Sequence, residues 1–175
     1  PTMFTPTVLS GIVGFNLSID RRYNVTAKLK VFAADIETTG LLPDLIRQGD
    51  QAKFHVINLR STKNDKFMQL HPHKEADKEK LQGILNRDDI VLVMHNGICY
   101  DLEAMKFFGY DTSKVKIIDT LYLCWYLDFH TTTGRFGLAH YGELLGFPKP
   151  PIEDWENLTQ EEYDHRCAED TKIQK

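Results

Sequence analysis

The stretch Leu29-Lys30-Val31-Phe32-Ala33-Ala34-Asp35-Ile36-Glu37-Thr38-Thr39-Gly40 decides the reading of this chain. Leu29 to Ala34 is a short, mostly apolar run, and Thr38-Thr39-Gly40 reads as a turn, so the pattern predicts a buried strand ending at Asp35. Side chains alternate along a strand, which puts Asp35 and Glu37 on one face of it. Two like charges side by side at the end of a core strand repel each other and resist desolvation. A divalent cation between them removes both penalties; a solvated strand terminus is the plainer alternative.

Working outward, residues 1–28 give the least interpretable pattern and are read as an N-terminal extension, with 29–175 as one domain. At 175 residues and 42% hydrophobic, the chain can bury a single sizeable core. A loop is expected through Pro43 and Gly49. Lys53 to Arg60 and Lys66 to Leu70 read as two further strands joined by the turn Thr62-Lys63-Asn64-Asp65. Lys74 to Leu85 is a charged amphipathic helix with a solvated face. Ile90 to Met94 is a buried strand, followed by a helix from Tyr100 to Phe108 that Gly109 stops. Val115 to Ile118 is a short strand leading into a helix from Asp119 to Leu127, with Trp125 and Tyr126 expected in the core. Asp128 to Arg135 reads as a mobile loop, Phe136 to Leu145 as a helix and Pro148 to Asp154 as a rigid extended connection that Trp155 packs onto the body. In the last helix Thr159 and Glu162 form a capping box, with Leu158 and Tyr163 as a hydrophobic staple. Strands first, then strands alternating with helices, predict an α/β domain with a mixed sheet. The last helix has no stop signal before Lys175, so the chain is expected to be a fragment of something longer.

No stretch is long and apolar enough to span a membrane. Pro1 to Ser10 lacks the charged start and apolar block of a signal peptide. The three cysteines, Cys99, Cys124 and Cys167, form no CxxC pair, and a reducing, intracellular compartment fits them. A formal net charge of −4 argues against holding nucleic acid by a basic surface alone. Two bound divalent cations would cancel that charge and reverse the local field, so a polyanionic substrate stays open.

Two more acids belong with the first pair. Asp101 follows the strand Ile90 to Met94 through His95-Asn96-Gly97-Ile98-Cys99-Tyr100, and Asp170 lies on the final helix. Singly, Asp101 could be an acidic first-turn residue and Asp170 part of a solvated face. Together Asp35, Glu37, Asp101 and Asp170 offer hard oxygen ligands that suit Mg²⁺ or Mn²⁺ rather than zinc. Four such groups can hold two ions roughly 3.5–4 Å apart, the arrangement that activates water and stabilises a leaving oxygen in phosphodiester cleavage. His165 adds a neutral imidazole that can accept a proton near working pH. Five residues along a helix rotate a side chain by roughly 140°, so His165 and Asp170 flank one site only with substrate lying between the helix and the strand ends. Arg166 shares the face of Asp170, as a surface ion pair with Glu162 or Asp170 or as a phosphate contact. His71-Pro72-His73 reads as a turn before a metal site, and His140 as a helix-surface or packing residue.

Three motifs in order carry a resemblance. Asp35-Ile36-Glu37-Thr38-Thr39-Gly40 resembles the first motif of the DEDD 3′→5′ exonucleases. Asn96 with Tyr100-Asp101 is similar to the second, and His165 with Asp170 to the third in its histidine form (DEDDh), the tyrosine form needing Tyr where Arg166 stands. His95-Asn96-Gly97 and Gly134-Arg135-Phe136-Gly137-Leu138 look most like the proofreading exonuclease domains of phage DNA polymerases. The resemblance implies a ribonuclease H-like fold, a five-stranded mixed sheet flanked by helices. It implies that Asp35, Glu37, Asp101 and Asp170 ligate two Mg²⁺ or Mn²⁺ ions and that His165 is the general base. It places Thr38, Thr39 and Leu41 at the terminal nucleotide, and Asn96, Tyr100 and Phe136 along the strand, where stacking and core packing are both open for Phe136. The implied activity is release of nucleoside monophosphates from a single-stranded 3′ end, DNA favoured, in replication proofreading or end trimming. A polymerase domain or replication proteins are the implied partners, in the cytoplasm or a viral host's cytoplasm. An RNA exonuclease and a degenerate nucleic-acid-binding module are the alternatives.

Overall fold

The computed structural model describes residues 28–127, 136–149, 151 and 157–175. Residues 1–27 of the expected N-terminal extension, the loop Asp128 to Arg135 and Trp155 lie outside the described residues. The elements run β1 (Lys30–Thr38), α1 (Leu42–Gln48), a 3-10 turn (Gly49–Gln51), β2 (Phe54–Ser61), β3 (Phe67–Leu70), α2 (Glu75–Leu85), β4 (Ile90–Met94), α3 (Asp101–Phe107), β5 (Lys116–Asp119), α4 (Thr120–Leu127), α5 (Leu138–Leu145) and α6 (Gln160–Gln174). One five-stranded sheet has the order β3-β2-β1-β4-β5. The pairs β1–β2 and β2–β3 are antiparallel, while β1–β4 and β4–β5 are parallel. The mixed sheet expected from the order of elements is therefore present. No described helix is long and apolar enough to cross a membrane.

Two elements differ from the sequence reading. Strand β1 does not stop at Asp35 but carries the pairing through Thr38, and the Thr39 N–H still reaches the Lys53 carbonyl at 3.1 Å. The expected loop holds α1, in which Pro43 occupies the first turn. Proline is tolerated there because that turn has no N–H bond to lose. Gly49, at φ 54°, ends the helix in a backbone conformation that favours glycine.

A register shift lies between Glu37, paired with Val56, and Thr38, paired with Phe54, so His55 is the extra residue of a β-bulge. Such an insertion re-aims the side chains that follow. Phe54 joins Ile36, Ile57, Leu59, Leu70, Leu81 and Met105 in the main core. His55 stacks on Tyr163 of α6 instead, with ring centroids 3.9 Å apart.

Helix α6 covers the other side of the sheet. Its start has the expected capping box, with the Glu162 N–H donating to Thr159 Oγ1 and the Thr159 N–H to Glu162 Oε2. A buried polar network seats it. Arg60 Nε donates to Thr171 Oγ1 at 3.2 Å, Thr171 donates to Asn58 Oδ1 at 3.0 Å, and Arg60 also reaches the Ala168 carbonyl. His71 lies between Asp164 and Asp77, tying the end of β3 to α6 and α2, in accord with a structural turn at His71-Pro72-His73.

Candidate metal centre

The β1–β2 and β1–β4 pairings bring the end of β1 to the middle of the sheet, and α6 crosses it there. Carboxylate oxygens of Asp35, Glu37 and Asp170 all lie within 4.8 Å of one another. Asp101 lines the same cavity of about 430 Å³. It is buried, and the backbone amides of its own residue and of Ile36 favour its ionised form. Four acids read as a set from the sequence thus face one cavity, three of them in close contact.

Asp101 is placed by a device the sequence reading missed. Buried Asp119 accepts the N–H groups of Asn96 and Ile98, each at 3.0 Å, and so clamps the turn between β4 and α3. Asn96 sits at φ 64° in that turn. A Cβ on Gly97 would lie 2.5 Å from Met94 Cβ and 2.8 Å from Ile117 Cδ1, so only glycine fits. An Asp directly before a helix reads as a cap, and nothing local shows that it reaches back to another loop.

The electrostatics record how crowded the acids are. Burial, followed by Asp170, Asp101 and Glu37, holds the Asp35 carboxyl well above its ordinary range. Burial pushes Glu37 to about 7, opposed chiefly by Arg166. Burial, aided by Asp119 and Glu37, pushes Asp101 to about 8. Two cations already lean on the set: Arg166 Nε donates to Glu37 Oε1 at 2.6 Å, and Lys149 Nζ to Asp170 Oδ2 at 2.5 Å. Gln174 Nε2 donates to Asp35 Oδ1 at 3.3 Å. Asp170 Oδ1 is buried with no hydrogen-bond partner among the described residues. A hard-oxygen cluster with an orphaned carboxylate oxygen fits a divalent cation by its donor chemistry.

Thr38, Thr39, Leu41 and Tyr100 line this cavity. The Tyr100 hydroxyl lies 2.6 Å from Thr38 Oγ1 and donates to the Gly40 carbonyl at 2.8 Å, so it braces the turn after β1. Leu41 is 66% exposed at the rim. Asn96 and Phe136 are not among the lining residues; Phe136 packs edge-on against Trp125 instead. His165 is exposed and does not line the cavity either. Arg166 pairs with Glu37, so its guanidinium faces the acids from α6. His95, Tyr163 and Arg166 line the cavity, and Lys149 reaches it from the connection after α5. Tyr163 had a signal in the sequence. It precedes Asp170 by seven residues, about two helical turns, and so lies on the same stripe as Arg166 and Asp170.

Solved structures share this arrangement of chain. NrnC of Brucella melitensis is similar with a TM-score of 0.57 at 22% identity, over 82% of this chain and 68% of that one. The same protein with bound Mg²⁺ matches at 0.54 and 23% identity, over 82% and 67% of the two chains. A zinc-bound complex of E. coli ExoI with single-stranded DNA matches at 0.54 and 11% identity, over 83% of this chain and 39% of that one. No protein-family model matches the sequence, and no curated protein matches it. Sheet order and these likenesses define an α/β domain of the ribonuclease H-like fold.

Proposed function

We propose that this chain is a divalent-cation-dependent 3′→5′ exonuclease of the DEDD type that releases nucleoside monophosphates from single-stranded 3′ ends, with DNA as the favoured substrate. The observation that carries the reading is the convergence of Asp35, Glu37 and Asp170 within 4.8 Å, around a carboxylate oxygen that has no partner among the described residues. The solved Mg²⁺-bound and single-stranded-DNA-bound proteins of similar fold support it, as do the three sequence motifs.

Asp35, Glu37, Asp101 and Asp170 are the residues proposed to hold two Mg²⁺ or Mn²⁺ ions. Such ions, when bound, supply Lewis acidity to the attacking water and to the departing 3′ oxygen. The chain's own groups do the rest. Gln174 orients the Asp35 carboxylate, and Lys149 restrains that of Asp170. Thr38, Thr39 and the Tyr100 hydroxyl form the polar wall against which a terminal sugar would rest, with Leu41 as the apolar edge. Arg166, already desolvated against Glu37, is placed to exchange that carboxylate for a substrate phosphate, a geometry that guanidinium favours. The role implied for His165 requires its imidazole to enter the cavity from the exposed side of α6.

Digestion of matched oligonucleotides labelled at the 5′ or 3′ end, with Mg²⁺ and with chelator, tests polarity and cation dependence together. A 5′-labelled DNA strand should shorten stepwise from its 3′ end, and chelator should abolish this. A strand left intact in Mg²⁺ by pure protein would sink the assignment.

A further inference from the structure

A second cavity, of about 610 Å³, adjoins the acid-lined one and shares Leu158 with it. The stacked pair His55–Tyr163 stands between them, His55 lining the second cavity and Tyr163 the first. The chemistry of the two walls is opposite. Among the described residues no carboxylate lines the second cavity, whereas Lys53, Lys78 and His73 do, beside the rings of Phe108 and Tyr110. Lys53 and Lys78 are exposed and form no ion pair among the described residues. Tyr110 is 6% exposed, and its hydroxyl is buried with no hydrogen-bond partner among the described residues. Lysines with no ion-pair partner among the described residues, beside an aromatic wall with an orphaned hydroxyl, suit an anion that carries a flat ring.

We propose that this cavity holds nucleotides upstream of the 3′ end, with phosphates neutralised by Lys53, Lys78 and His73 and a base set against Phe108 and Tyr110. The strand as occupant rests on the exonuclease reading, and continuity with the acid-lined cavity favours it over a free mononucleotide. Its volume falls within the roughly 300–1,000 Å³ of sites that enclose small ligands. The bulge at His55 has a purpose on this account: it turns the ring onto Tyr163 and leaves a wall, not a plug, between the two chambers.

The test is binding without cleavage, in chelator, by fluorescence anisotropy of 5′-labelled single strands. Wild type should bind an octanucleotide more tightly than a dinucleotide. The double variant Lys53→Glu/Lys78→Glu should lose that advantage, by about tenfold or more at low salt, and its salt slope should fall by about two. Dinucleotide binding and thermal melting should stay as in wild type, and Lys63→Glu/Lys66→Glu at the β2–β3 turn should change none of these. Unchanged length dependence in Lys53→Glu/Lys78→Glu would overturn the proposal, as would its absence in wild type. Displacement of the octanucleotide's extra affinity by AMP alone, with no difference between strand lengths at saturating AMP in either protein, would reassign the cavity to a free nucleotide. If length-dependent binding needs Lys53 and Lys78 while Mg²⁺ supports no digestion, the exonuclease reading fails and the strand cavity stands. Mg²⁺-dependent digestion with binding indifferent to Lys53 and Lys78 means the reverse.

Discussion

Helix α4 packs Leu121, Tyr122, Leu123, Trp125, Tyr126 and Leu127 into eight residues, yet none of its residues is buried. Helix α6 carries seven charged side chains and a single isoleucine, yet Cys167, Asp170, Thr171, Ile173 and Gln174 are all buried. The difference lies in what faces each helix. Strand β2 offers α6 the side chains of Asn58 and Arg60, and β1 offers the Asp35 carbonyl, which accepts from Cys167 Sγ at 3.0 Å. Polar groups are buried where partners satisfy them. Among the described residues α4 meets no comparable surface, and Trp125 and Tyr126, expected in the core, are 50% and 84% exposed. Composition sets what a helix could bury, and the neighbouring strands set what it does bury.

The contrast can be tested by substitution, and the largest effect is expected on the inner face of α6. Asp170→Asn keeps the shape and removes one of three converging charges. It should lower Mg²⁺-dependent cleavage by about a thousandfold, the several kcal/mol that such electrostatic stabilisation supplies. Circular dichroism should show the fold unchanged, and cleavage within tenfold of wild type would remove Asp170 from the site.

Next comes the metal-free stability of the same face. The folded carboxyls of Glu37 and Asp101 are raised to about 7 and about 8. Unfolded, they titrate near 4. Between those limits the folded state binds more protons, so stability falls as pH rises through the window. Thermal melts in chelator should show a midpoint that drops from about pH 5 to about pH 8, with Mg²⁺ restoring more of it at the upper end. A midpoint flat in pH without metal would mean that the acids are not mutually destabilised.

Thr171→Val leaves Arg60 Nε and Asn58 Oδ1 without their partner. Urea unfolding should report a loss of about 1–3 kcal/mol. A neutral result would show that the network does not seat α6. His165→Ala, on the outer face, should reduce cleavage by less than about tenfold, whereas a proton acceptor in the reaction contributes roughly 10²–10⁴-fold. A hundredfold loss would instead show that the first turns of α6 rearrange to bring that imidazole to the substrate. Smallest of all, Tyr126→Ser on α4 should shift stability by no more than about 0.5 kcal/mol. A larger loss would mean that residues packed on α4 lie outside those described.

Much of this was legible in the chain. Ile90 to Met94 was bounded to the residue, because a β-branched apolar run flanked by polar residues admits little else. The α6 start was legible because a capping box is local: Thr159 and Glu162 satisfy each other within one turn. Asp35 and Glu37 pointed to a candidate site, since two like charges at the end of a buried strand repel and resist desolvation. Helix α1 was hidden by Pro43, which reads as a breaker unless the first turn is known to contain it. Lys149 and Asp119 were hidden for a different reason. Each acts on a residue about twenty positions away, through a contact that no local pattern encodes.

The order of the five strands and of every helix but α1, the mixed sheet and the four acids as a candidate set were determined by the sequence alone, because period, turn chemistry and like-charge repulsion act over a few residues. Which side chains meet was decided only by the tertiary structure. The bulge at His55 and the angle at which α6 crosses β1 bring Tyr163, Arg166 and Asp170 over the acids and leave His165 outside. That choice depends on packing β1, β2 and α6 together, a long-range constraint that no segment carries by itself.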